Sequence, residues 1–409
     1  MRRREFLKAA GIGLAASSAA MGLATSRAAS APPPAPDTPA CTPPAPGYSG
    51  PLPLVRATTD RIIAITVCTR PFRANGPRIE AQRMGRKTIV HNYGHGGTGW
   101  SLSWGSSTLA LRHVLATRER EIAVIGCGAL GLTSALLAQR AGLKVRIYAK
   151  DRPPDVRSTF ATGNWSPNSR FCTQEGATPD VADRWEEMAR ISFRAYQFML
   201  GLPGDPIEWR DGYAIPDDGE VPLPPPRNEP EYPDLERRIR DIGPHMEVLE
   251  AGTHPFPAEV VGRYSNLIFN IGALQHMLMS DFLLAGGTLE TREFEKPGDL
   301  MKLREKTIVN CTGYGARALF GDESVTPVRG QIVRLIPQPE INYGLSYTNF
   351  YMLPRRDALI LQSQAPGDFG SADIAPDRVA AEQTVQILAN LNRRIAANQA
   401  CMEAVRVRR

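Results

Sequence analysis

The sequence predicts an α/β fold in which two domains are built from interleaved chain segments, and three observations support this. A strand–glycine turn–helix–strand unit covers residues 121–151. A later strand and glycine turn, residues 307–313, would lie in the same parallel sheet. From residue 326 onward, "TPVRGQIVRL" and "YTNFYMLPRRDALILQSQ" are rich in β-branched and aromatic residues, which favour a β-rich second segment.

The first 31 residues have the form of an export signal. "RREFLK" at 3–8 has the twin-arginine shape, followed by a weakly apolar Ala/Gly/Ser/Leu run and small residues at 29–31. The run is too short and too polar to span a bilayer, so we expect a cleaved signal rather than a frayed basic terminus. This predicts export by the twin-arginine machinery to the periplasm or beyond. That route carries proteins that are already folded, often around a cofactor.

Removing the signal lowers the net charge. The full chain carries a formal +6, with 48 Lys and Arg against 42 Asp and Glu. Residues 1–31 hold five basic side chains and one acid, a net +4, which leaves about +2 for the remainder. This balance argues against a nucleic-acid partner and against stable membrane insertion, and no second apolar run is long enough for a bilayer. Oligomeric state is left open.

A proline-rich stretch and the cysteines add two expectations. Residues 32–56 include "PPPAPDTPACTPPAPGYSGPLP" and would form an extended or disordered linker with little to bury. The six cysteines lie singly without CxxC spacing, so no zinc site is expected. Cys127 and Cys311 follow apolar strands and are predicted to be buried thiols rather than a disulfide pair.

The glycine turn at 126–131 is a dinucleotide-binding fingerprint. Gly126, Gly128 and Gly131 form G-x-G-x-x-G between a short apolar strand and a helix. The glycines allow a tight turn and close approach of a pyrophosphate, and the helix N-terminus supplies hydrogen-bond donors. Asp151 follows Gly131 by twenty residues, where an acid would reach an adenosine ribose. An unliganded glycine turn is the alternative, and this unit alone does not separate NAD from FAD.

A second glycine-rich stretch, "HNYGHGGTGWSLSWG" at 91–105, lies shortly before the fingerprint. "HNYGHGGTG" closely resembles the signature of the D-amino-acid oxidase family of flavoproteins. "RPFRANGPRIEAQR", "NCTGYGARAL", "PVRGQIVRL" and the pattern YxxxYxxPR resemble further blocks of that family in type and spacing. The resemblance implies a Rossmann-like FAD-binding domain interleaved with a mostly antiparallel β-sheet substrate domain, and FAD as the cofactor.

The order of these blocks differs from the family's. In the family the arginine segment and "HNYGHGG" lie near the C-terminus, whereas here they precede the fingerprint, which predicts a circular permutation. The chain would then begin with a twin-arginine signal peptide (1–31), a Pro-rich linker (32–56) and a permuted segment (57–118). The two domains would follow in alternation: a first FAD-binding segment (119–175), a first substrate-domain segment (176–265), a second FAD-binding segment (266–325), and a second substrate-domain segment with a C-terminal helix (326–409).

Four residues are expected to act on the substrate. By resemblance Arg70 would bind the substrate carboxylate, for which the planar guanidinium is suited. Tyr347 and Tyr351 would respectively close over the substrate and hydrogen-bond its carboxylate. Being four residues apart, they would share a face; two aromatic residues packing a sheet face are the alternative. The Gly97 carbonyl would accept a hydrogen bond from the substrate amine.

A larger set is expected to contact FAD. In the glycine-rich stretch 91–105 the candidates are Gly96, Thr98, Gly99, Trp100 and Ser101, the last four beginning a helix that runs to about residue 115. Elsewhere they are Gly126, Gly128, Ala129, Leu130, Gly131, Asp151, Ser158, Gly163, Asn164, Thr312 and Gly313. His91 and His95 are interpreted as structural hydrogen-bonding residues rather than metal ligands, and Arg73 or Arg355 as candidate cations for an acidic side chain.

The resulting hypothesis is an FAD-dependent oxidase of D-amino acids that uses O₂ and gives a 2-oxo acid, ammonia and hydrogen peroxide. Gln362-Ser363 and Phe369 depart from residues common in the family, which leaves the substrate open. A glycine or secondary-amine oxidase, or a quinone-linked dehydrogenase, is the near alternative. A catalytically decayed flavin-binding protein and an NAD-dependent enzyme are the alternatives from other classes.

Overall fold

The computed structural model describes residues 41–216, 221 and 229–407. The predicted export signal and the beginning of the predicted linker lie outside these residues. Within them, no helix has the length and apolarity needed to cross a bilayer.

The elements are named in chain order. The strands are β1 (Ile62–Phe72), β2 (Arg78–Met84), β3 (Lys87–Tyr93), β4 (Glu121–Ile125), β5 (Lys144–Ala149), β6 (Ile207–Ile215), β7 (Glu247–Glu250), β8 (Val260–Phe269), β9 (Thr288–Thr291), β10 (Thr307–Asn310), β11 (Thr326–Leu335), β12 (Tyr343–Tyr347), β13 (Phe350–Pro354) and β14 (Leu359–Ser363). The helices are α1 (Ser103–Ala116), α2 (Ala129–Arg140), α3 (Pro179–Gln197), α4 (Ile271–Leu284), α5 (Pro297–Leu300), α6 (Gly315–Phe320) and α7 (Arg378–Val407).

The smaller sheet has six strands in the order β2-β3-β10-β4-β5-β9. Its strands from β3 to β9 are parallel, and only β2 pairs in the antiparallel sense. Helices α1, α2 and α4 contribute to one apolar cluster with residues of β4 and β5, and a second cluster around Leu300 contains Ile89 and Ala123. With both faces covered, the central strands β4 and β10 are buried and mainly apolar, as predicted for the strand before the fingerprint.

The larger sheet has eight strands in the order β1-β11-β14-β13-β12-β6-β8-β7. All pairs are antiparallel except β12 with β6. One face packs on α7 through an apolar cluster that includes Leu361, Val385 and Leu388. The two sheets, one mostly parallel and one mostly antiparallel, confirm the predicted fold class.

The residues before the fingerprint contribute to both sheets. Strand β1 forms an edge of the larger sheet, whereas β2 and β3 belong to the smaller one. Helix α1 packs against α3 so closely that a Cβ at Gly105 would overlap the backbone of Met188. Helix α3 begins after Thr178, whose hydroxyl accepts a hydrogen bond from the Val181 amide. A portion of the predicted substrate segment 176–265 therefore packs with the FAD-binding layer.

The predicted linker is extended where the structure describes it, as expected, but it is docked on the rest of the molecule, which was not expected. Val55 is buried in the cluster under the larger sheet, and its carbonyl accepts a 2.6 Å hydrogen bond from Asn392 of α7. The Pro53 carbonyl accepts another, of 2.6 Å, from the Tyr343 hydroxyl. Cys41 is disulfide-bonded to Cys401, 360 residues away. The segment's carbonyl groups and the apolar side chains of Leu52 and Val55 dock it on the larger sheet and the C-terminal helix.

Candidate active site

Four loops meet where parallel strands of the smaller sheet end. Strands β3, β10, β4 and β5 are neighbours, so their carboxyl ends lie at one edge. They are followed by the glycine loop (94–99), by Cys311 to Gly313, by the fingerprint turn (126–131) and by Lys150-Asp151. Ligands of open α/β sheets bind at this edge. The two glycine stretches are therefore adjacent in space because β3 and β4 flank β10.

The fingerprint turn depends on its glycines. Gly126 has a φ of +101°, and a Cβ there would lie 2.5 Å from the Cys311 carbonyl oxygen. A Cβ at Gly131 would overlap the Gly126 carbonyl, so this glycine permits close packing of α2 on the turn and does not line the cavity. Gly128 directly precedes α2, whose first amide, at Ala129, donates to the Ser158 hydroxyl over 3.2 Å. The turn has the shape that a pyrophosphate requires.

The glycine loop is equally constrained. Gly96 has a φ of +54° and its Cβ would overlap the Arg170 carbonyl, while a Cβ at Gly97 would lie 2.5 Å from the Ser169 hydroxyl. The amides of Gly96 and Gly97 donate to the carbonyls of Pro71 and Ser169. Helix α1 begins at Ser103, so the predicted start at residue 98 is wrong because residues 99–102 form turns. The loop presents bare backbone on a fixed path.

Hydrogen bonds of Trp100 and Ser101, directly after the glycine loop, connect it to the segment 158–166. The Trp100 indole donates to the Ser158 carbonyl over 2.8 Å, and the Ser101 hydroxyl accepts from the Ser166 amide over 2.9 Å. Thr98 is fully buried and donates to the His95 carbonyl, so it shapes the loop and does not line the cavity. These bonds hold the walls of one site together.

All of these loops open on one cavity of about 1130 Å³. Its walls include most of the predicted FAD contacts, namely Gly96, Gly99, Trp100, Ser101, Gly126, Gly128, Ala129, Leu130, Asp151, Ser158, Gly163, Asn164, Thr312 and Gly313. Three predicted substrate residues, Arg70, Tyr351 and Gly97, line the same cavity. The larger sheet supplies the wall that carries Arg70 and Tyr351.

Arg70 is held on the sheet by its neighbours in β11. It pairs with Val328, and its Nη1 donates to the Arg329 carbonyl over 3.0 Å. Its guanidinium lies where a Cβ of Gly330 would otherwise be. The side chain thus lies flat against the strand, with its remaining N–H groups available to a ligand in the cavity.

The expectation that Tyr347 and Tyr351 share a face is wrong. Tyr347 ends β12 and Tyr351 lies in β13, and the two-residue turn between the strands pairs Tyr347 with Phe350 and Tyr351 with Ser346. Tyr347 is therefore fully buried in the cluster on the α7 side and does not line the cavity. Only Tyr351 is placed for a role toward substrate, with Ser346 beside it.

Sequence reasoning missed Tyr264, a tyrosine that lines the cavity from the larger sheet. Tyr264 of β8 lies opposite Gly212 of β6, and a Cβ at Gly212 would fall 2.5 Å from the Tyr264 ring. Tyr264, Gly212 and Gly344 all line the cavity. Burial raises the pKa of Tyr264, and the nearby Tyr351 raises it further. A signal existed in Gly212 and Gly344, but recognising it required the strand register.

The two loop histidines are structural, as predicted. His91 bonds Gln82 and Asn310 through its two ring nitrogens, and burial lowers its pKa to about 4. His95 bonds the Ser106 hydroxyl over 2.7 Å, and burial lowers its pKa to about 3. Both rings are neutral near pH 7. Across the described part of the chain, no group of three or more His, Cys, Asp or Glu is placed to hold a metal ion.

Four further candidates are also located. Arg355 pairs with Asp357 and donates to the Ala161 carbonyl, so it supports the segment before Gly163 and does not line the cavity. Arg73 donates a hydrogen bond to Ser324 and likewise does not line the cavity. Neither arginine is therefore aimed at a substrate side chain.

Cys127 and Cys311 are free buried thiols, as predicted, and burial raises the pKa of each to about 12.

Comparison with known proteins identifies the family. A family model described as DAO, FAD dependent oxidoreductase, matches residues 121–407. The chain belongs to this family of FAD-dependent oxidoreductases. The dinucleotide, which the fingerprint alone left open, is therefore FAD, and the protein is an enzyme. Residues 57–118 precede the matched range, although they supply Arg70 and the glycine loop to the same cavity.

Curated relatives of this FAD-dependent oxidoreductase include two bacterial D-amino-acid oxidases. The protein from Streptomyces coelicolor is 28% identical over 278 residues, 64% of this chain and 76% of the relative. That from Rubrobacter xylanophilus is 28% identical over 284 residues, 66% and 77% of the two chains. Among solved structures, glycine oxidase from Geobacillus kaustophilus matches with a TM-score of 0.48 and 17% identity, covering 68% of this chain and 80% of that one.

The residues of the cavity fit FAD. The glycine turn and the N-terminus of α2 can receive the pyrophosphate, and Asp151, at the end of the neighbouring strand, can receive a ribose hydroxyl. At the other end, the glycine loop and Tyr351 of the larger sheet line the same cavity and could enclose a flat ring between them. A volume of about 1130 Å³ leaves space for a small substrate beside the cofactor.

Proposed function

We propose that this FAD-dependent oxidoreductase oxidises D-amino acids to imino acids, which hydrolyse to 2-oxo acids and ammonia. The observation that carries the proposal is the position of Arg70, held flat on β11 in the same cavity as the glycine loop. A guanidinium aimed at the cofactor cavity binds a substrate carboxylate through two parallel hydrogen bonds. The D-amino-acid oxidases among the relatives support this substrate class.

The protein acts by positioning. Arg70 holds the carboxylate, and the Gly97 carbonyl accepts a hydrogen bond from the amine. The Tyr351 hydroxyl, which donates to the Thr348 carbonyl over 3.2 Å in this structure, turns to the carboxylate when substrate binds. These contacts fix Cα and direct its hydrogen away from the sheet. FAD, which the fingerprint turn and the glycine loop would hold, would supply the two-electron oxidation of the substrate and the reduction of O₂ to hydrogen peroxide. No side-chain base is required, because the amine reacts in its neutral form.

The test uses the purified holoprotein under anaerobic conditions. We expect the flavin absorbance to bleach with D-alanine and not with L-alanine, and peroxide to form when air is admitted. Arg70→Ala should retain flavin and raise KM strongly, whereas Arg112→Ala, which removes an exposed arginine paired with Glu187, should not. Reduction by glycine or sarcosine in preference to D-alanine would support the amine-oxidase alternative, and reoxidation by quinones only would indicate a dehydrogenase.

We also propose that the protein is exported and that its chain is circularly permuted. The disulfide between Cys41 and Cys401 supports export, since such bonds persist in oxidising compartments. The same bond supports the permutation, because it holds the first described residues beside the end of α7. Fractionation of cells with the twin-arginine pair intact or changed to lysines would test export. We expect the variant with both arginines changed to lysine to remain in the cytoplasm.

A further inference from the structure

Tyr264 occupies an unusual place on the larger sheet. Its ring lies across Gly212, where a Cβ would fall 2.5 Å from Cζ and 2.6 Å from the hydroxyl oxygen. The phenol therefore leans from β8 over β6 toward β12. Tyr264 lines the cavity, and its hydroxyl has no hydrogen-bond partner among the described residues. A half-buried phenol with a free donor facing a ligand cavity is a candidate ligand contact.

The floor beside Tyr264 is open. Gly344 of β12 pairs with Gly212, and the three atoms nearest to a Cβ at Gly344 are all backbone, the closest being the Met352 carbonyl at 3.3 Å. Gly344 faces the cavity because its neighbours Tyr343 and Leu345 contribute to the cluster on the other face. Two adjacent glycines thus make a depression in the sheet, walled by Tyr264 on one side.

Tyr351 lies between Arg70 and this depression. Tyr351 is in β13, and strands β11 and β14 lie between it and β1, which carries Arg70. On its other side Tyr351 is near enough to Tyr264 to raise the pKa of that phenol. The Tyr264 phenol lies over β6. The distance from β13 to β6 is two strand spacings, about 10 Å. A substrate whose carboxylate lies between Arg70 and Tyr351 would extend its side chain toward Tyr264 over several bonds.

We propose that Tyr264 determines specificity, its hydroxyl binding a polar group at the end of an extended substrate side chain, such as the amide of D-glutamine. The proposal rests on the proposed function, since Arg70 must hold the carboxylate. Because burial and Tyr351 raise the pKa of Tyr264, the phenol stays protonated and can donate to an amide or carboxylate oxygen.

The kinetic test compares D-glutamine, D-norleucine and D-alanine as substrates of wild type and Tyr264→Phe. Losing one neutral hydrogen bond should lower kcat/KM for D-glutamine roughly 2- to 10-fold. D-Norleucine and D-alanine should be unaffected, since the first has no polar end and the second is too short. Tyr213→Phe is the matched control, because Tyr213 follows Gly212 and packs on the opposite face. An equal loss for all three substrates, or none, would overturn the proposal.

A binding test does not depend on turnover. Glutarate monoamide is D-glutamine without its amine, and 5-methylhexanoate replaces its amide by an isopropyl group. We expect calorimetry to show that Tyr264→Phe weakens binding of the first roughly 2- to 10-fold and leaves the second unchanged. If wild type oxidises no D-amino acid yet shows this difference, the proposed function fails and Tyr264 remains a ligand contact. If wild type and Tyr264→Phe bind each ligand equally well, Tyr264 has no such role.

Discussion

The guanidinium of Arg70 lies in the space that a side chain at Gly330 would fill. Gly330 is opposite Cys68 in the pairing of β1 with β11, two residues along from the partner of Arg70. The arginine therefore leans along its strand, and its Nη1 bond to the Arg329 carbonyl fixes that direction. A residue without a side chain on one strand thus sets the position of a charged group on the next.

This relationship predicts that Gly330→Ala acts like a partial loss of Arg70. The methyl group would displace the guanidinium, which removes hydrogen bonds to a charged substrate group worth about 1.5–3 kcal/mol. We expect KM to rise roughly 10- to 100-fold in steady-state assays, with flavin content unchanged. Gly272→Ala is the control, because a Cβ there meets no atom within 4 Å. An unchanged KM for Gly330→Ala would show that the carboxylate binds elsewhere.

The two tyrosines of the β12–β13 hairpin should give opposite results. Tyr351→Phe removes a hydroxyl from the cavity and should raise KM with little change in melting temperature. Tyr347→Ala empties a fully buried site under the sheet and should cost about 3–5 kcal/mol of stability. Tyr347→Phe keeps the ring and should leave KM unchanged. Thermal melts and kinetics on all three variants check this, and a raised KM for Tyr347→Phe would contradict the assigned faces.

The Cys41–Cys401 disulfide should contribute strongly to stability. It joins residues 360 apart, so it restricts the unfolded chain considerably, and such bonds contribute about 2–5 kcal/mol. We expect Cys41→Ser to lower the melting temperature by several degrees, and Cys401→Ser to lower it equally. Reductant should lower the melting temperature of wild type and leave both variants unchanged. A reductant effect of the same size on Cys41→Ser would place the sensitivity elsewhere.

The buried histidines predict a loss of stability in mild acid. His91 and His95 have folded-state pKa values of about 4 and 3, below the ordinary 6.5. Between pH 6.5 and 4 the unfolded chain therefore binds protons that the folded chain does not, so the free energy of unfolding falls as pH falls. Each histidine contributes up to about 1.4 kcal/mol per pH unit in this window.

Denaturant melts at pH 7 and pH 5 measure this effect. The difference between the two pH values should shrink in His91→Gln and again in the double variant with His95→Gln. His276→Gln, at an exposed position on α4, should retain the wild-type difference. If the buried-site variants retain it as well, acid sensitivity arises from other groups.

Much of the site could be predicted because it depends on local sequence. The fingerprint glycines contact atoms a few residues away or on the next strand, so their spacing alone indicates the turn. The glycine loop and Arg70 could be placed because their residue types and order resemble family blocks. These features needed no knowledge of how the two sheets pack.

The errors concern features that depend on distant pairing. The hairpin turn contains Thr348 at a φ of +52° and no glycine, so the sequence carries no strong signal for a tight turn, and the predicted face of Tyr347 is wrong for that reason. Tyr264 and Gly212 are 52 residues apart in sequence and meet only through strand register. Cys41 lies in the predicted linker, and its disulfide partner lies in the last helix, so the pairing depends on the folded arrangement of the two chain segments.

The cross-link between the two ends of the described chain changes what proteolysis can do. Because Cys41 and Cys401 close a covalent ring, one backbone cut anywhere between them leaves both pieces attached. A nicked molecule would run as a single species on a non-reducing gel and separate only after reduction. In a protease-rich environment such a molecule can lose the continuity of its backbone without losing either half of its active site.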